Sequence, residues 1–421
     1  MTSIYKNFFI ASISRFITAI IGLVIIGFLT RHLGLAGYGA YETVLSYLFI
    51  FIVLADFGLH VVHVREISRH PDKESFISGN IFTLRLLSLF LVVISAFIIG
   101  LFLPYSEEIK KGILVASIFV IFSSLSQILS GIFQKYSTFY IVSFSDILTR
   151  LIQLGLVVYA VNKGFGLLVF IWILSLTAGI QFLIILFLSR RFVAFSLTFD
   201  FSYVKEVLKV SLPVAASILF TAIYIRTDAL MLSLMKPQAD VGIYRLAAKI
   251  VETIIFFPAL LVELTMPSFS ALSQTRSLFN QIFKKTFNIL FLMAIPIVVG
   301  LILFAEPIVL ILGGKEFISS AVPLRIMALV IGMVFLNNLG GKALIALEFQ
   351  KAGMWIYLSG AVLNIISNLI VIPRYSYIGA SLTTLMTEII VTIMMFWVLY
   401  KKAGLRPDFK NIPDVFKKLD L

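Results

Sequence analysis

Twelve stretches of about twenty residues, each nearly free of charge, follow one another along the chain, and no connection between them is long enough to fold by itself. They lie near 8–29, 41–63, 80–103, 112–132, 138–160 and 166–188, then near 211–235, 242–266, 286–304, 322–341, 353–372 and 379–400. Twenty residues rising 1.5 Å each cover about 30 Å, the thickness of a bilayer's hydrocarbon core. No water reaches the backbone there, so only helices or a closed barrel can span it. Barrel strands alternate apolar with polar residues, whereas these runs are continuously apolar, which excludes the barrel. Charged residues make up 13% of the 421 and hydrophobic ones 60%, about half the charge of a soluble domain. The fold class expected is an all-α polytopic membrane protein with about twelve transmembrane helices.

The longest connection, 189–209, divides the spans into two lobes of six helices. The expected organisation is an N-terminal lobe 1–188, a cytoplasmic linker 189–209, a C-terminal lobe 210–400 and a basic cytoplasmic tail 401–421. Within the linker, Val204–Lys209 reads as an amphipathic helix lying on the membrane surface. With the N-terminus inside, nineteen Lys and Arg fall in inside segments. Seven fall outside: Arg31, Lys110, Lys111, Lys163, Lys236, Lys315 and Arg374. That bias predicts both termini in the cytoplasm. It also makes the formal charge of +13 a membrane-surface charge and no sign of nucleic-acid binding. The first run is too long for a cleaved leader and lacks a small-residue cleavage site. There are no cysteines, so thiolate metal sites and disulfides are excluded. His60 and His63 share a helix face but have no third ligand nearby, so no metal site is expected.

Charges inside spans carry the functional signal, because each is costly in hydrocarbon and turns toward protein or a watery cavity. They concentrate in Tyr224–Glu263. Arg226 and Asp228 sit in the seventh span, two residues apart, and so point to opposite sides. Arg245, Lys249, Glu252 and Glu263 in the eighth fall within about 60° of arc at 100° per residue, on one face. A charged stripe of this kind reads as a path through the membrane, or as a structural ion pair between helices. Asp146 and Arg150, four apart, are placed to neutralise each other. Asn337, Asn338, Asn364 and Asn368 are placed to bond either a polar substrate or a neighbouring helix.

A weak internal repeat accompanies the two-lobe pattern. Gly39 and Tyr41 match Gly242 and Tyr244 at a shift of 203 residues. The same shift sets Glu42 against Arg245 and Ser46 against Lys249. Six helices per lobe preserve orientation, which implies an axis along the membrane normal. A cleft between such lobes would be flanked by the second and eighth helices.

These residues also form a known pattern. Thr30-Arg31-His32-Leu33-Gly34, Gly37-Tyr38-Gly39 and Asp56-Phe57-Gly58-Leu59 resemble the Wzx-type O-antigen flippases. So do Thr227-Asp228 and Val241-Gly242-Ile243-Tyr244-Arg245-Leu246-Ala247-Ala248-Lys249. That family belongs to the multidrug/oligosaccharidyl-lipid/polysaccharide (MOP) exporter superfamily, whose fold is MATE-like. The resemblance implies a multi-pass bacterial inner-membrane protein that flips undecaprenyl-pyrophosphate-linked repeat units by alternating access, in the assembly of O-antigen and lipopolysaccharide. It implies a central cavity, with helices 1, 2, 7 and 8 lining the lateral openings. A pyrophosphate needs guanidinium or ammonium donors, and Arg15, Arg226, Arg245 and Lys249 are the candidates. Glu42, Asp56, Asp228, Glu252 and Glu263 are candidates for gates or ion coupling, with Glu42 and Arg245 as an external gate and Asp56 and Glu263 as a cytoplasmic one. The expected partners are the lipid-linked oligosaccharide, membrane lipids and other polysaccharide-assembly proteins. No cofactor is expected beyond an H⁺ or Na⁺ gradient.

No catalytic constellation is present: no HExxH, no GxSxG and no phosphate loop, since Gly340-Gly341-Lys342 lacks the upstream glycine. The chain reads as no enzyme. Two alternatives stay open: an ion-coupled multidrug antiporter on the same fold, and a membrane glycan polymerase, which would need a longer external loop.

Overall fold

The computed structural model describes the chain except residues 1, 195, 273, 274 and 407–421, and leaves aside the side chains of 2–9, 213, 214, 216, 217, 221, 256–261, 263–268 and 270–272. Among the described residues twelve α-helices run in order: α1 (Thr2–Asp56), α2 (Leu59–Arg69), α3 (Glu74–Phe102), α4 (Glu107–Lys135), α5 (Tyr140–Asn162) and α6 (Leu167–Ser189), then α7 (Phe201–Met235), α8 (Gln238–Leu272), α9 (Arg276–Leu303), α10 (Ala305–Gly313), α11 (Ala321–Ala346) and α12 (Gln350–Ala403). Among the described residues, nine helical stretches are long and apolar enough to cross a membrane.

Two of those nine are far longer than a bilayer is thick, and each is broken. α1 breaks at Gly34 (φ 66°, ψ −175°) and α12 at Ser376 (φ 48°, ψ −131°). Each break divides its helix into two spans, and α8 supplies a further one, so every segment of the sequence reading has a helix. The extra short helices α2 and α10 were not expected. The second span ends at Asp56 instead of running to residue 63, because Phe57 (φ 46°) and Gly58 (φ 71°) leave the helical region. The freed carbonyl of Ala55 accepts from Arg85 Nη1 at 2.8 Å and Ser88 Oγ at 3.0 Å, which meets the requirement that buried backbone groups be paired.

The chain divides into two compact units, one running to Arg226 and taking in Pro237–Gly242, the other made of Thr227–Lys236 and the chain from Ile243 onward. The division falls inside α7, between Arg226 and Thr227. In the first unit α4 is the central helix and packs on α1, α2, α3, α5 and α6. In the second α11 packs on α9, α10 and α12. These carry the most buried of the candidate spans, and each is the fourth span of its half. Both present small residues inward, Gly112, Ala116 and Ser117 in α4, Ala321, Ala328 and Ala343 in α11, so neighbouring backbones approach closely.

Residues 194, 198 and 200 are tied to the head of α3. Ser75 Oγ donates to Ala194 O at 2.6 Å, Asp200 N to Asn80 Oδ1 at 2.5 Å and Asn80 Nδ2 to Thr198 Oγ1 at 3.3 Å. Asp200 then caps α7, accepting from Tyr203 N at 2.9 Å. Residues 204–209 are helical with Val204 and Val207 buried and Lys205 and Lys209 exposed, but they are the first turns of α7 and not a separate surface helix.

Loops that the charge bias puts on one side lie at one end of each unit. In the first, Lys135 Nζ lies 2.9 Å from Glu74 Oε2, joining two inside connections, and His32 Nε2 donates to Phe165 O at 2.8 Å, joining two outside ones. In the second, Arg276 Nε donates to Ala403 O at 2.9 Å, and Lys236 Nζ to Pro373 O at 2.8 Å, just before the break in α12.

The matched segments of the internal repeat meet within the first unit. A Cβ on Gly39 would lie 1.7 Å from Gln238 O, and one on Gly242 2.3 Å from Leu35 O. Leu35 and Gln238 are themselves related by the 203-residue shift, so each segment makes on the other the contact it receives. Reciprocal contacts of this kind mark a local two-fold axis. Thr43 Oγ1 donates to Gln238 Oε1 at 2.6 Å beside it.

Candidate functional site

The polar residues inside the spans form separate clusters in the two units. In the first, Arg85 is fully buried and Asp56 nearly so. Arg85 Nη1 donates to Asp56 Oδ1 and Nη2 to Gln127 Oε1, at 2.8 and 2.9 Å. Asp56, a candidate for gating, is thus tied to α3 and α4 by a buried ion pair. His63 lies nearby, its Nε2 3.0 Å from Ser78 Oγ and its Nδ1 3.2 Å from Ile128 O. Among the described residues no group of three or more His, Cys, Asp or Glu could hold a metal.

Glu42 is buried, with Tyr38 donating to Oε1 at 3.4 Å. Arg15 is exposed on α1, and its charge, like that of Arg150, bears on the Asp146 carboxylate. Asp146 accepts from Gln181, while Arg150 donates to Gln153 Oε1 at 2.8 Å. Arg226 stacks its guanidinium over Phe49, 4.6 Å from the ring centroid.

In the second unit the stripe on α8 is an ion triad. Arg245 is almost fully buried and donates from Nη1 to Glu252 Oε1 at 3.0 Å; Lys249 Nζ lies 3.8 Å from Glu252 Oε2. Offsets of 3, 4 and 7 put the three side chains on one face, one above another. The side chain of Glu263 lies outside the described residues. The four candidate cations are thus shared out, Arg15 and Arg226 in the first unit, Arg245 and Lys249 in the second.

Asp228 has the most unusual surroundings. It is 3% exposed and accepts from Asn368 Nδ2 at 2.5 Å, Thr384 Oγ1 at 2.7 Å and Tyr244 Oη at 3.1 Å. Asn368 also donates to Asn364 Oδ1 at 3.0 Å, and its own Oδ1 is buried without a hydrogen-bond partner. The donors come from α8 and from both halves of α12. All are neutral. A carboxylate so placed collects oxygen atoms around one negative charge in low dielectric, which suits a proton or a small hard cation. Asp228 was legible in the sequence as an unpaired charge. Its partners were not, because Thr384 lies 156 residues away and its hydroxyl looks like that of any helix-packing threonine. Asn337 makes a parallel contact, Nδ2 donating to Glu388 Oε2 at 2.6 Å.

The family described as "Polysaccharide biosynthesis protein" matches residues 4–273, and the MatE family matches 213–370. Among curated proteins, the probable flippase AglR of Haloferax volcanii is 26% identical over 193 residues, 45% of this chain and 40% of that one. The membrane protein MJ1375 of Methanocaldococcus jannaschii is 28% identical over 203 residues, 45% and 44% of the two chains. The chain spans less than half the length of the curated relatives it matches. Among solved structures, the lipid II flippase MurJ in an inward closed conformation superposes with a TM-score of 0.81 at 18% identity, over 96% of this chain and 89% of that one. An inward-facing multidrug resistance MATE family transporter of the MOP superfamily gives 0.74 at 14% identity, over 97% and 99%. The fold is therefore the MOP-superfamily fold.

Proposed function

The chain belongs to the polysaccharide biosynthesis protein family, and from that premise we propose that it is a flippase carrying a lipid-linked oligosaccharide across the membrane. What supports this reading most directly is the family match over both α1–α6 and the charged helices α7 and α8. A phosphate-linked glycan cannot cross hydrocarbon unaided, since its charge and hydroxyls find no partners there. The lipid tail stays in the bilayer while the polar head moves through the protein. In this reading the membrane is the cytoplasmic membrane of a bacterium, with both termini inside. The two halves alternate access between the two sides, and the substrate is an undecaprenyl-pyrophosphate-linked repeat unit delivered by other assembly proteins. The names of AglR, a probable flippase, and MurJ, a lipid II flippase, point the same way.

Arg245 and Lys249 are the phosphate-binding candidates of α8, with Glu252 holding Arg245 until an anion replaces it. Arg15 and Arg226 are the phosphate-binding candidates of the first unit. Asp228 is the candidate for coupling to an H⁺ or Na⁺ gradient. Its carboxylate, with the unpartnered Asn368 Oδ1 and the Thr384 hydroxyl, would hold the ion and supply the charge balance that the neutral donors lack.

The test is glycan export in a host lacking its own flippase, with protein abundance measured alongside. Arg245→Ala is expected to abolish export. The exchange Arg245→Glu with Glu252→Arg restores an ion pair but not a cation at 245, and is expected to stay inactive. Wild-type export by the exchanged protein would reduce Arg245 and Glu252 to a structural pair. Drug resistance without glycan export would favour the antiporter reading, which the MatE match over 213–370 supports.

A further inference from the structure

Where α2, the start of α3 and the first turns of α7 meet in the first unit, a cavity of about 230 Å³ opens. Its α7 residues lie just ahead of the apolar run that begins at 211, where the sequence predicts the span to start. Its lining combines apolar Phe76, Ile77 and Val207 with Arg65, His70 and Lys73 and with Glu66 and Glu206. Tyr203 closes it, its ring packed on Phe76 at 5.2 Å. Its hydroxyl is buried with no hydrogen-bond partner.

The chemistry of this lining is specific. Arg65 gives Nε and Nη2 to Glu66 Oε1, at 3.0 and 2.8 Å, leaving other N–H groups of its fork for a second acceptor. Burial and the neighbouring Glu66 and Glu206 push the Tyr203 hydroxyl up to about 12, so at neutral pH it keeps its proton and donates. Glu206, exposed at the mouth, is an acceptor for an ammonium. The volume is below the ~300–1,000 Å³ of sites for drug-sized ligands, which fits a headgroup and not a whole glycan.

We infer that this cavity binds the headgroup of a zwitterionic phospholipid with a primary ammonium, phosphatidylethanolamine. The phosphate sits on Arg65, Lys73 and the Tyr203 hydroxyl, the ammonium on Glu206, and the glycerol and acyl chains run past Phe76 and Val207 into the bilayer. A purely anionic lipid offers the same phosphate but no ammonium for Glu206. A choline headgroup has no N–H to give Glu206.

The experiment is native mass spectrometry of the full-length protein in detergent, titrated with dioleoyl phosphatidylethanolamine, phosphatidylcholine or phosphatidylglycerol. Phosphatidylethanolamine is expected to be retained about tenfold better than the other two, the value of one charge-assisted hydrogen bond. Glu206→Gln is expected to remove that preference, and Tyr203→Phe to lower retention of all three lipids while keeping it, neither lowering the melting temperature. Equal retention of the three lipids, a preference for phosphatidylglycerol, a phosphatidylethanolamine preference that survives Glu206→Gln, or retention that Tyr203→Phe leaves unchanged would overturn the assignment. Arg245 plays no part in this binding, so the export reading and the lipid site fail separately.

Discussion

At the scale of residues, charge inside the spans follows two different rules. Arg85 and Asp56 neutralise each other in a buried pair whose remaining donors go to Ala55 O and Gln127; such a pair is costly to break because one charge would be left alone. Asp228 has only neutral donors. That difference makes Asp228 the residue to test for ion coupling. Sodium added to protein prepared in potassium, or acidification, is expected to raise the melting temperature of the wild type. Saturation at a hundred times the dissociation constant is worth about 2.7 kcal/mol. Asp228→Asn keeps the side chain's shape and is expected to melt at one temperature under all these conditions. A wild type indifferent to both ions would remove the coupling role. The two-residue spacing of Arg226 and Asp228 already said that they part company, and they do so across the boundary between units. Arg85 stood in the sequence as one more intramembrane charge, with nothing to tell that its partner was 29 residues back at the end of another helix.

At the scale of elements, backbone conformation alone breaks α1 at Gly34 and α12 at Ser376. Gly34 ends the first span with φ 66° and ψ −175°, a conformation essentially reserved for glycine. Gly39 and Gly242 hold two helix starts so close that no Cβ fits against the facing carbonyl oxygens. Gly155, in α5, has nothing within 4 Å of its would-be Cβ. Gly39→Ala and Gly242→Ala are therefore expected to lower the melting temperature in detergent by an overpacking cost of about 1–3 kcal/mol. Gly155→Ala is expected to raise it by about 0.5–1 kcal/mol, the helix-propensity gain. If Gly39→Ala were as harmless as Gly155→Ala, the reciprocal packing of 35–39 on 238–242 would be wrong.

At the scale of the whole molecule, the polarity of insertion can be read directly, because the chain has no cysteine and single ones label cleanly. Cysteines at Lys163 and Lys315 are expected to react with an impermeant thiol reagent from outside, and those at Arg191 and Lys351 only after the membrane is opened. The reverse pattern would overturn the orientation drawn from the charge bias. The grouping of same-side connections at one end of each unit supports the alternation of spans on which that count rests.

By itself the sequence determined the class, the number and order of spans and the positions where charge enters them. Those follow from local hydrophobicity, because a bilayer is a solvent that judges each segment on its own. It also announced the repeat, since Gly39 and Gly242 recur at a fixed shift. Tertiary structure decided which charges are answered and by whom. Asp228 is surrounded by residues 16, 140 and 156 positions away, and Asp56 by an arginine on another helix. It also set the division into compact units within α7, between Arg226 and Thr227, while Ala194, Thr198 and Asp200 bond the head of α3. Hydrogen bonds and ion pairs depend on positions and directions in space, and one-dimensional spacing supplies these only within a single helix.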